Sequence, residues 1–392
     1  MESLCISKVV LEYLFQGLSK RLILGVTIGG SSRLLDGQAK YFRELGYDVY
    51  LISQNHEKEY DFCLKESITH LPVNISNQIN PAKDLVALYQ IVRHFNRIKP
   101  DIINVGTPKM GFLGILAGWL TGIKTRIYTC RGLRYETEAG LTNWILRSTE
   151  RITVTLASGV IYVSPSLLSS AIRNKTSFVS KSVVLGKGSS NGVDLSVFNR
   201  RSINDDDRKK LKQKLGLEGK FILGFVGRIS KHKGVWEIVQ VFEQINPDHP
   251  ETHLLMMGHT NHEKDLEARI DANHNIIRIP FQDNVPLYMS LFDILVLPSW
   301  REGFPNVSIQ AAAMGLPVIV SNATGCIDSV NNGINGIVFE KHNVDELKDA
   351  IIFYLKNPEI KQKHGQAGIE WAKQFRNDVI WNKLHELYSQ NT

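Results

Sequence analysis

What this 392-residue chain lacks narrows it first. Its four cysteines, Cys5, Cys63, Cys130 and Cys326, share no paired spacing. That excludes a zinc ribbon and a disulfide framework and points to a reducing compartment, the cytoplasm. No apolar run approaches the roughly 20 residues that span a bilayer. The longest, Gly111 to Ile123, carries the Gly and Ala of a helix packed tightly on a sheet. Near the start, Val9-Val10-Leu11 and Leu14-Phe15 are interrupted by Glu12, and no small-residue cleavage site follows, so a secretory signal is not expected. A dinucleotide fingerprint is missing too, because neither Gly25-Val26-Thr27-Ile28-Gly29-Gly30 nor the loop after Val226 has Gly-x-Gly-x-x-Gly spacing. A dinucleotide dehydrogenase is therefore disfavoured.

Acidic charge is scarce in one half only. Residues 1–195 hold 23 Lys and Arg against 15 Asp and Glu, whereas the remainder is nearly balanced at 23 against 24. All of the net +7 therefore sits in the first half. Such a half suits an anionic partner: a membrane surface, a phosphorylated substrate or nucleic acid. Apolar content of 43% and charged content of 22% are those of a soluble globular protein, and the length implies two domains.

Along the chain, short apolar runs alternate with helical patterns, which predicts βαβ units and a parallel sheet. Strands are expected at Leu22–Ile28, Asp48–Ile52, Asp101–Val105, Thr125–Thr129, Gly159–Ser164 and Ser182–Leu185. Helices are expected from about Leu34 to Leu45, Lys83 to Arg97 and Gly111 to Ile123. The polar segment Asn199–Glu218 then breaks the pattern and reads as a linker. Its Asp205-Asp206-Asp207 precedes a basic helical run, so it is better explained as helix-start chemistry than as a metal site. The pattern restarts at Phe221, with a helix from about Gly234 to Ile245. The fold class is thus α/β, two Rossmann-like domains facing each other across a cleft. The expected division is an extension of unknown role (1–20), a first domain (21–198), a linker (199–218), a second domain (219–375) and a C-terminal helix (376–392) that packs back on the first domain. Within the extension, Leu11–Gly17 is similar to an engineered protease-cleavage linker, with departures at Tyr13 and Leu18.

Two stretches carry chemistry. The run Ile294–Pro298, the turn Trp300-Arg301-Glu302-Gly303-Phe304-Pro305-Asn306 and the small-residue helix after it read as strand, loop and helix. That order puts Glu302 at a strand's carboxyl end, where open α/β sheets bind ligands, beside a helix start that favours anions and hydroxyls. The second stretch, Gly227-Arg228-Ile229-Ser230-Lys231-His232-Lys233-Gly234, lies between a strand and a helix. Arg228 can hold phosphate bidentately and Lys233 can act as a point charge.

These motifs, with Ala313–Ile319 and Gly333–Phe339, resemble the family 4 glycosyltransferases of GT-B fold, which act with retention. Arg131-Gly132-Leu133-Arg134-Tyr135-Glu136 and Asn322–Asp328 are most similar to the enzymes of capsule, O-antigen and exopolysaccharide assembly. The resemblance spans about residues 21–390. It implies a nucleotide-sugar donor, UDP-linked, a lipid-linked glycan acceptor and a peripheral position on the inner face of the cytoplasmic membrane. It implies no cofactor, no metal and no nucleic acid. Catalytic roles fall on Glu302, Arg228 and Lys233, with the cations balancing charge on the leaving diphosphate. Donor contacts fall on Gly29, Gly30, Phe281, Gly303, Phe304, Pro305, Asn306 and Gln310, and acceptor contacts on Lys109, Arg134 and Glu136. Two positions depart from the family pattern. Gln310 stands where a second glutamate holds the ribose, and the acceptor-domain loop reads Cys130-Arg131-Gly132 where many members have histidine, which makes Arg131 the substitute candidate. A catalytically silent binding relative and a sugar-nucleotide epimerase are the competing readings.

Overall fold

A computed structural model describes residues 19–260 and 263–390. Residues 1–18 of the extension, with the cleavage-linker resemblance and Cys5, lie outside the described residues. The first sheet contains β1 (Arg21–Gly25), β2 (Asp48–Gln54), β3 (Thr69–Val73), β4 (Ile102–Gly106), β5 (Thr125–Cys130), β6 (Gly159–Tyr162) and β7 (Ser182–Val183). The second contains β8 (Phe221–Val226), β9 (Thr252–Met257), β10 (Ile276–Ile279), β11 (Ile294–Leu297), β12 (Val318–Ser321) and β13 (Gly336–Phe339). Their orders are β3-β2-β1-β4-β5-β6-β7 and β10-β9-β8-β11-β12-β13. Every ladder between these strands is parallel, so both units are Rossmann-like.

Parallel sheets need cover on both faces, and the strand sequences show it. Every residue of β4 (Ile-Ile-Asn-Val-Gly) and of β11 (Ile-Leu-Val-Leu) is buried. Strand order reverses between β1 and β4 and again between β8 and β11. The loops leaving those strands are where a ligand finds room.

Two expected elements differ in detail. The helix predicted from Leu34 to Leu45 is a 3-10 turn, Ser31–Leu35, followed by a separate helix, Gln38–Glu44. Buried Glu66 causes the break by accepting the amides of Gly37 (3.1 Å) and Lys40 (2.9 Å), which caps the second helix from outside. The segment read as a linker contains the helix Asp205–Lys214. Asn204 caps it by accepting the amides of Asp206 and Asp207, so the three aspartates stand in its first turn, where the helix dipole favours them.

The last helix, Asn377–Gln390, lies against the first sheet's side of the molecule. Its Ile380, Leu384 and Tyr388 share a core with Leu22 and Leu24 of β1. The Trp381 indole donates to Asn191 Oδ1 at 2.7 Å, and buried Asn104 of β4 donates to the Tyr388 hydroxyl at 2.6 Å. Among the described residues no helix is long and apolar enough to cross a membrane.

Candidate active site

The cationic loop leaves β8, makes a 3-10 turn over Lys231–Lys233 and enters the helix Val235–Ile245 at Gly234. Gly234 has φ 70°, and a Cβ there would lie 2.0 Å from the Pro298 carbonyl oxygen. Only glycine permits both the left-handed backbone and that approach. The loop is thereby pressed onto the end of β11, where the Trp300 amide donates to the His232 carbonyl at 3.0 Å.

The consequence is a three-residue cluster. Lys233 Nζ donates to Glu302 Oε1, and Ser299 Oγ donates to the same oxygen at 2.9 Å. The Glu302 side chain is 14% exposed and that of Lys233 29%, so both charges face a restricted opening. Glu302 Oε2 has no protein partner among the described residues. Arg228 is exposed two residues past β8 and forms no ion pair among the described residues. Trp300 is braced from behind: its indole donates to Glu237 Oε1 at 2.6 Å, and the His342 ring packs edge-on to it at 4.6 Å.

After Glu302 the chain turns into the helix Asn306–Ala313, whose start has no side-chain cap, leaving its first amides available. Gln310 is half-buried one turn along, with no side-chain hydrogen bond among the described residues. Phe304 is 8% exposed, and its ring packs on Phe375 at 5.2 Å, so it offers a ligand its backbone rather than its ring. Asn306 Oδ1 accepts from Ser189 Oγ of the first unit at 2.9 Å.

The first unit closes tightly over this turn. A Cβ on Gly303 would lie 2.1 Å from the Arg131 carbonyl oxygen. Ser164 Oγ donates to the Gly303 carbonyl at 2.8 Å. Glu136 accepts from Ser170 Oγ (2.5 Å) and from Thr324 Oγ1 (3.1 Å), which makes it a strap between the units. Arg131 lies with its guanidinium on Gly106 and its Nε donating to Ser190 Oγ at 2.8 Å; no carboxylate pairs with it among the described residues. Burial holds its pKa down to about 10, so it stays cationic at neutral pH.

Other expected contacts are placed as follows. Gly29 donates its amide to Gln54 Oε1 at 3.0 Å, and Gly30 adopts φ 84° in the turn after β1. Phe281 stacks on His259 with ring centroids 5.5 Å apart. Arg33, unnoticed in the sequence, lies 4.4 Å over the Phe281 ring and pairs with Asp283 at 3.1 Å. Lys109 is committed to Asp84 at 2.7 Å, while the Arg134 side chain is exposed. Arg301 was also missed: its Nε is buried without a partner, and burial lowers its pKa. The neighbouring Glu302 was the only signal that could have drawn attention to it. Surface recesses of about 510 and 720 Å³ lie elsewhere, at Phe95–Thr125 and at Arg200–Lys373, and neither contains the cluster. The chemistry, not the concavity, locates the site.

Behind this site Glu150 accepts from Tyr128 Oη (3.2 Å) and from Cys130 Sγ (3.6 Å), and burial raises its pKa to about 7. Between its ordinary pKa and about 7 the unfolded chain releases a proton that the native state keeps, so this group's contribution to stability falls as pH rises through that window. Glu150→Gln cannot ionise. Its melting temperature relative to wild type should therefore be higher at pH 8 than at pH 4, and equal differences at both pH values would reject the assignment.

Two facing Rossmann-like units with a cationic loop and a carboxylate turn at their cleft define a GT-B glycosyltransferase. Residues 28–185 match the family model described as Glycosyltransferase Family 4, and residues 207–371 match Glycosyl transferases group 1. The capsular polysaccharide biosynthesis glycosyltransferase CapM of Staphylococcus aureus is 32% identical over 93% of this chain and 95% of its own length. A UDP-Gal:alpha-D-GlcNAc-diphosphoundecaprenol alpha-1,3-galactosyltransferase of Escherichia coli is 25% identical over 78% of this chain and 79% of its own. Among solved structures, Anabaena HepE in complex with UDP aligns with a TM-score of 0.78 at 20% identity, covering 95% of this chain and all of that one. The chain belongs to the family 4 glycosyltransferases and is most like those of capsule and polysaccharide assembly.

Proposed function

We propose that the protein transfers a hexose or N-acetylhexosamine, with retention and without a metal, from a UDP-linked donor to a polyprenyl-diphosphate-linked glycan on the inner face of the cytoplasmic membrane. The observation that carries this reading is the convergence of Lys233, Ser299 and Glu302 at the carboxyl ends of β8 and β11. In support, HepE binds UDP, and the Escherichia coli relative is named for a diphosphoundecaprenol-linked acceptor.

The roles follow from charge and geometry. Lys233 and Arg228 take the donor's diphosphate and balance the charge that grows on it as the glycosidic bond breaks. Such cations do the work a metal ion does elsewhere. Glu302 Oε2 accepts from the sugar's hydroxyls while Ser299 steadies the other carboxylate oxygen. The amides of Gly303 to Asn306 lie near the sugar and phosphates, and the Gly29-Gly30 turn lets the first unit's backbone approach them. Phe281 lines the donor side. Arg131 remains protonated at neutral pH, so on the acceptor side it acts as a fixed cation rather than a general base. Arg134 and Glu136 flank the acceptor, with Glu136 also holding the closed cleft through Thr324.

Gln310 tests the donor's placement. A carboxylate there could accept from both ribose hydroxyls, whereas an amide accepts through one oxygen. Gln310→Glu should tighten UDP-sugar binding a few-fold, and Gln310→Ala should weaken it by about 0.5–1.5 kcal/mol. Turnover should change less, because a ribose contact serves ground and transition states alike. Calorimetric titration with a panel of nucleotide sugars, in chelator, decides the matter. If none binds, the donor assignment is wrong; if UDP-sugars bind but neither variant changes the dissociation constant, the nucleotide does not lie along this helix.

A further inference from the structure

We propose that Arg301 is a specificity-determining residue that reads an oxyanion on the accepting sugar itself, either a phosphate at its anomeric position or a carboxylate on its ring. The inference rests on the transferase reading above and deepens it by naming the acceptor class. The attacked sugar carries its own negative charge, and no neutral sugar stands between that charge and the attacked hydroxyl.

Arg301 is a cation with nothing to hold. It lies in the turn between β11 and the helix Asn306–Ala313, one position ahead of Glu302. The two side chains diverge: Glu302 meets Lys233 on the donor side, whereas the Arg301 guanidinium reaches Gly132 in the first unit's acceptor loop. Arg301 is half-buried, its Nε is buried without a partner, and its side chain forms no hydrogen bond or ion pair among the described residues. Taking such donors out of water is costly, and a protein seldom leaves them empty unless a ligand fills them.

The neighbouring charges select the ligand. Burial lowers the Arg301 pKa, Glu136 and Glu302 raise it, Arg134 lowers it and Glu138 raises it least. None of these acids pairs with Arg301, and two are already engaged. Glu136 accepts from Ser170 and Thr324, and Glu302 accepts from Lys233 and Ser299. Glu138 is half-buried and pairs with no cation among the described residues. Arg134 is exposed and pairs with no acid among them. Two guanidiniums therefore stand close enough to oppose each other's charge, with no carboxylate paired to either. An incoming oxyanion relieves that opposition, and phosphate and carboxylate both match the planar fork of a guanidinium.

Geometry fixes how near the anion comes to the reaction. Gly132 has φ 146°, and a Cβ built there would lie 3.7 Å from the Gly303 amide nitrogen and 3.9 Å from Arg301 Nη1, with no atom nearer. The missing side chain thus leaves a clear spot bordered both by the guanidinium and by the turn that holds the donor sugar. An anion seated on Arg301 is about one sugar ring from the donor. The ring that attacks must then bear the anion, because an intervening neutral sugar would carry the charge past Arg301.

The test uses four octyl-tailed probes: N-acetylglucosaminyl diphosphate, a glucuronide, a neutral N-acetylglucosaminide, and chitobiosyl diphosphate, in which a neutral sugar separates charge from acceptor. Calorimetric titration into the full chain saturated with UDP should show one of the first two binding at least ten-fold more tightly than either of the others. Preference for the diphosphate identifies the lipid linkage as the anion's source, and preference for the glucuronide identifies an acidic sugar. Arg301→Gln should erase the preference by weakening the favoured probe ten-fold or more while leaving the neutral glycoside within about two-fold. Arg301→Lys should recover part of it, since an ammonium supplies charge without the fork. UDP affinity and the melting curve of Arg301→Gln should match wild type, because the side chain holds no protein group. In turnover with a UDP-sugar, the variant's KM for the favoured probe should rise while kcat changes little. Equal affinity for all four probes, tightest binding of chitobiosyl diphosphate, a preference that survives Arg301→Gln, or lost UDP affinity in that variant would each overturn the proposal. Failure of the transferase reading looks different: the anionic probe would bind through Arg301 while no sugar moved to it.

Discussion

Lys233→Ala should cut turnover about 10- to 150-fold, the range that corresponds to losing one charge-assisted contact of about 1.5–3 kcal/mol. Two losses combine. The leaving diphosphate loses the ammonium nearest the Glu302 turn, and Glu302, only 14% exposed, loses the cation that accompanies it and retains Ser299 alone. Because the charge on the diphosphate grows as the bond breaks, kcat should fall more than donor affinity. Lys233→Arg keeps a positive charge but not the compact ammonium, and should recover only part of the rate. Wild-type turnover in excess chelator should be unchanged. Steady-state kinetics on a UDP-sugar would settle both points: full activity in Lys233→Ala, or loss of wild-type activity to a chelator, removes the cationic loop from the mechanism.

Gly303→Ala should lower kcat/KM by about a hundred-fold or more while leaving each unit folded. The substitution adds one carbon, and that carbon meets the Arg131 carbonyl oxygen of the opposite unit at 2.1 Å. Backbone cannot rotate away as a side chain can, so the cleft must open by about an ångström or the Glu302 turn must shift. A misplacement of about 1 Å among positioned groups costs on the order of a hundred-fold in rate. Gly303 does not adopt a positive φ, so alanine is not strained locally, and the thermal transition should move little. A variant with normal kcat/KM would show that the closed contact is not the working geometry. A variant with a collapsed melting temperature would show that Gly303 serves folding rather than catalysis.

Much of the fold was legible because buried parallel strands announce themselves. Runs such as Ile294-Leu295-Val296-Leu297, covered on both faces, have no reason to alternate with polar residues. Element ends were less legible. Glu66, 29 residues from Gly37, splits the helix expected from Leu34 to Leu45, and no local pattern carries that distance. The Asp205–Asp207 run reads as helix-start chemistry, but the helix it opens does not stand out from a linker, because its mostly polar sequence offers little apolar periodicity.

The candidate site divides in the same way. Loop chemistry named Arg228, Lys233 and Glu302, since glycine-bracketed cations and a carboxylate before a helix start are local features of the chain. Arg33 and Arg301 are not legible locally, because the ring beneath one and the burial of the other are supplied by distant segments. Sequence by itself determined the α/β class, the family resemblance and the excess positive charge of the first half, all properties of composition and short-range order. Only the tertiary structure decided that Lys233 meets Glu302 across 69 residues and that Arg131 lies between Gly106 and Ser190. Those are long-range contacts, set by how strands order in a sheet and how two units close, and the chain writes them in no single stretch.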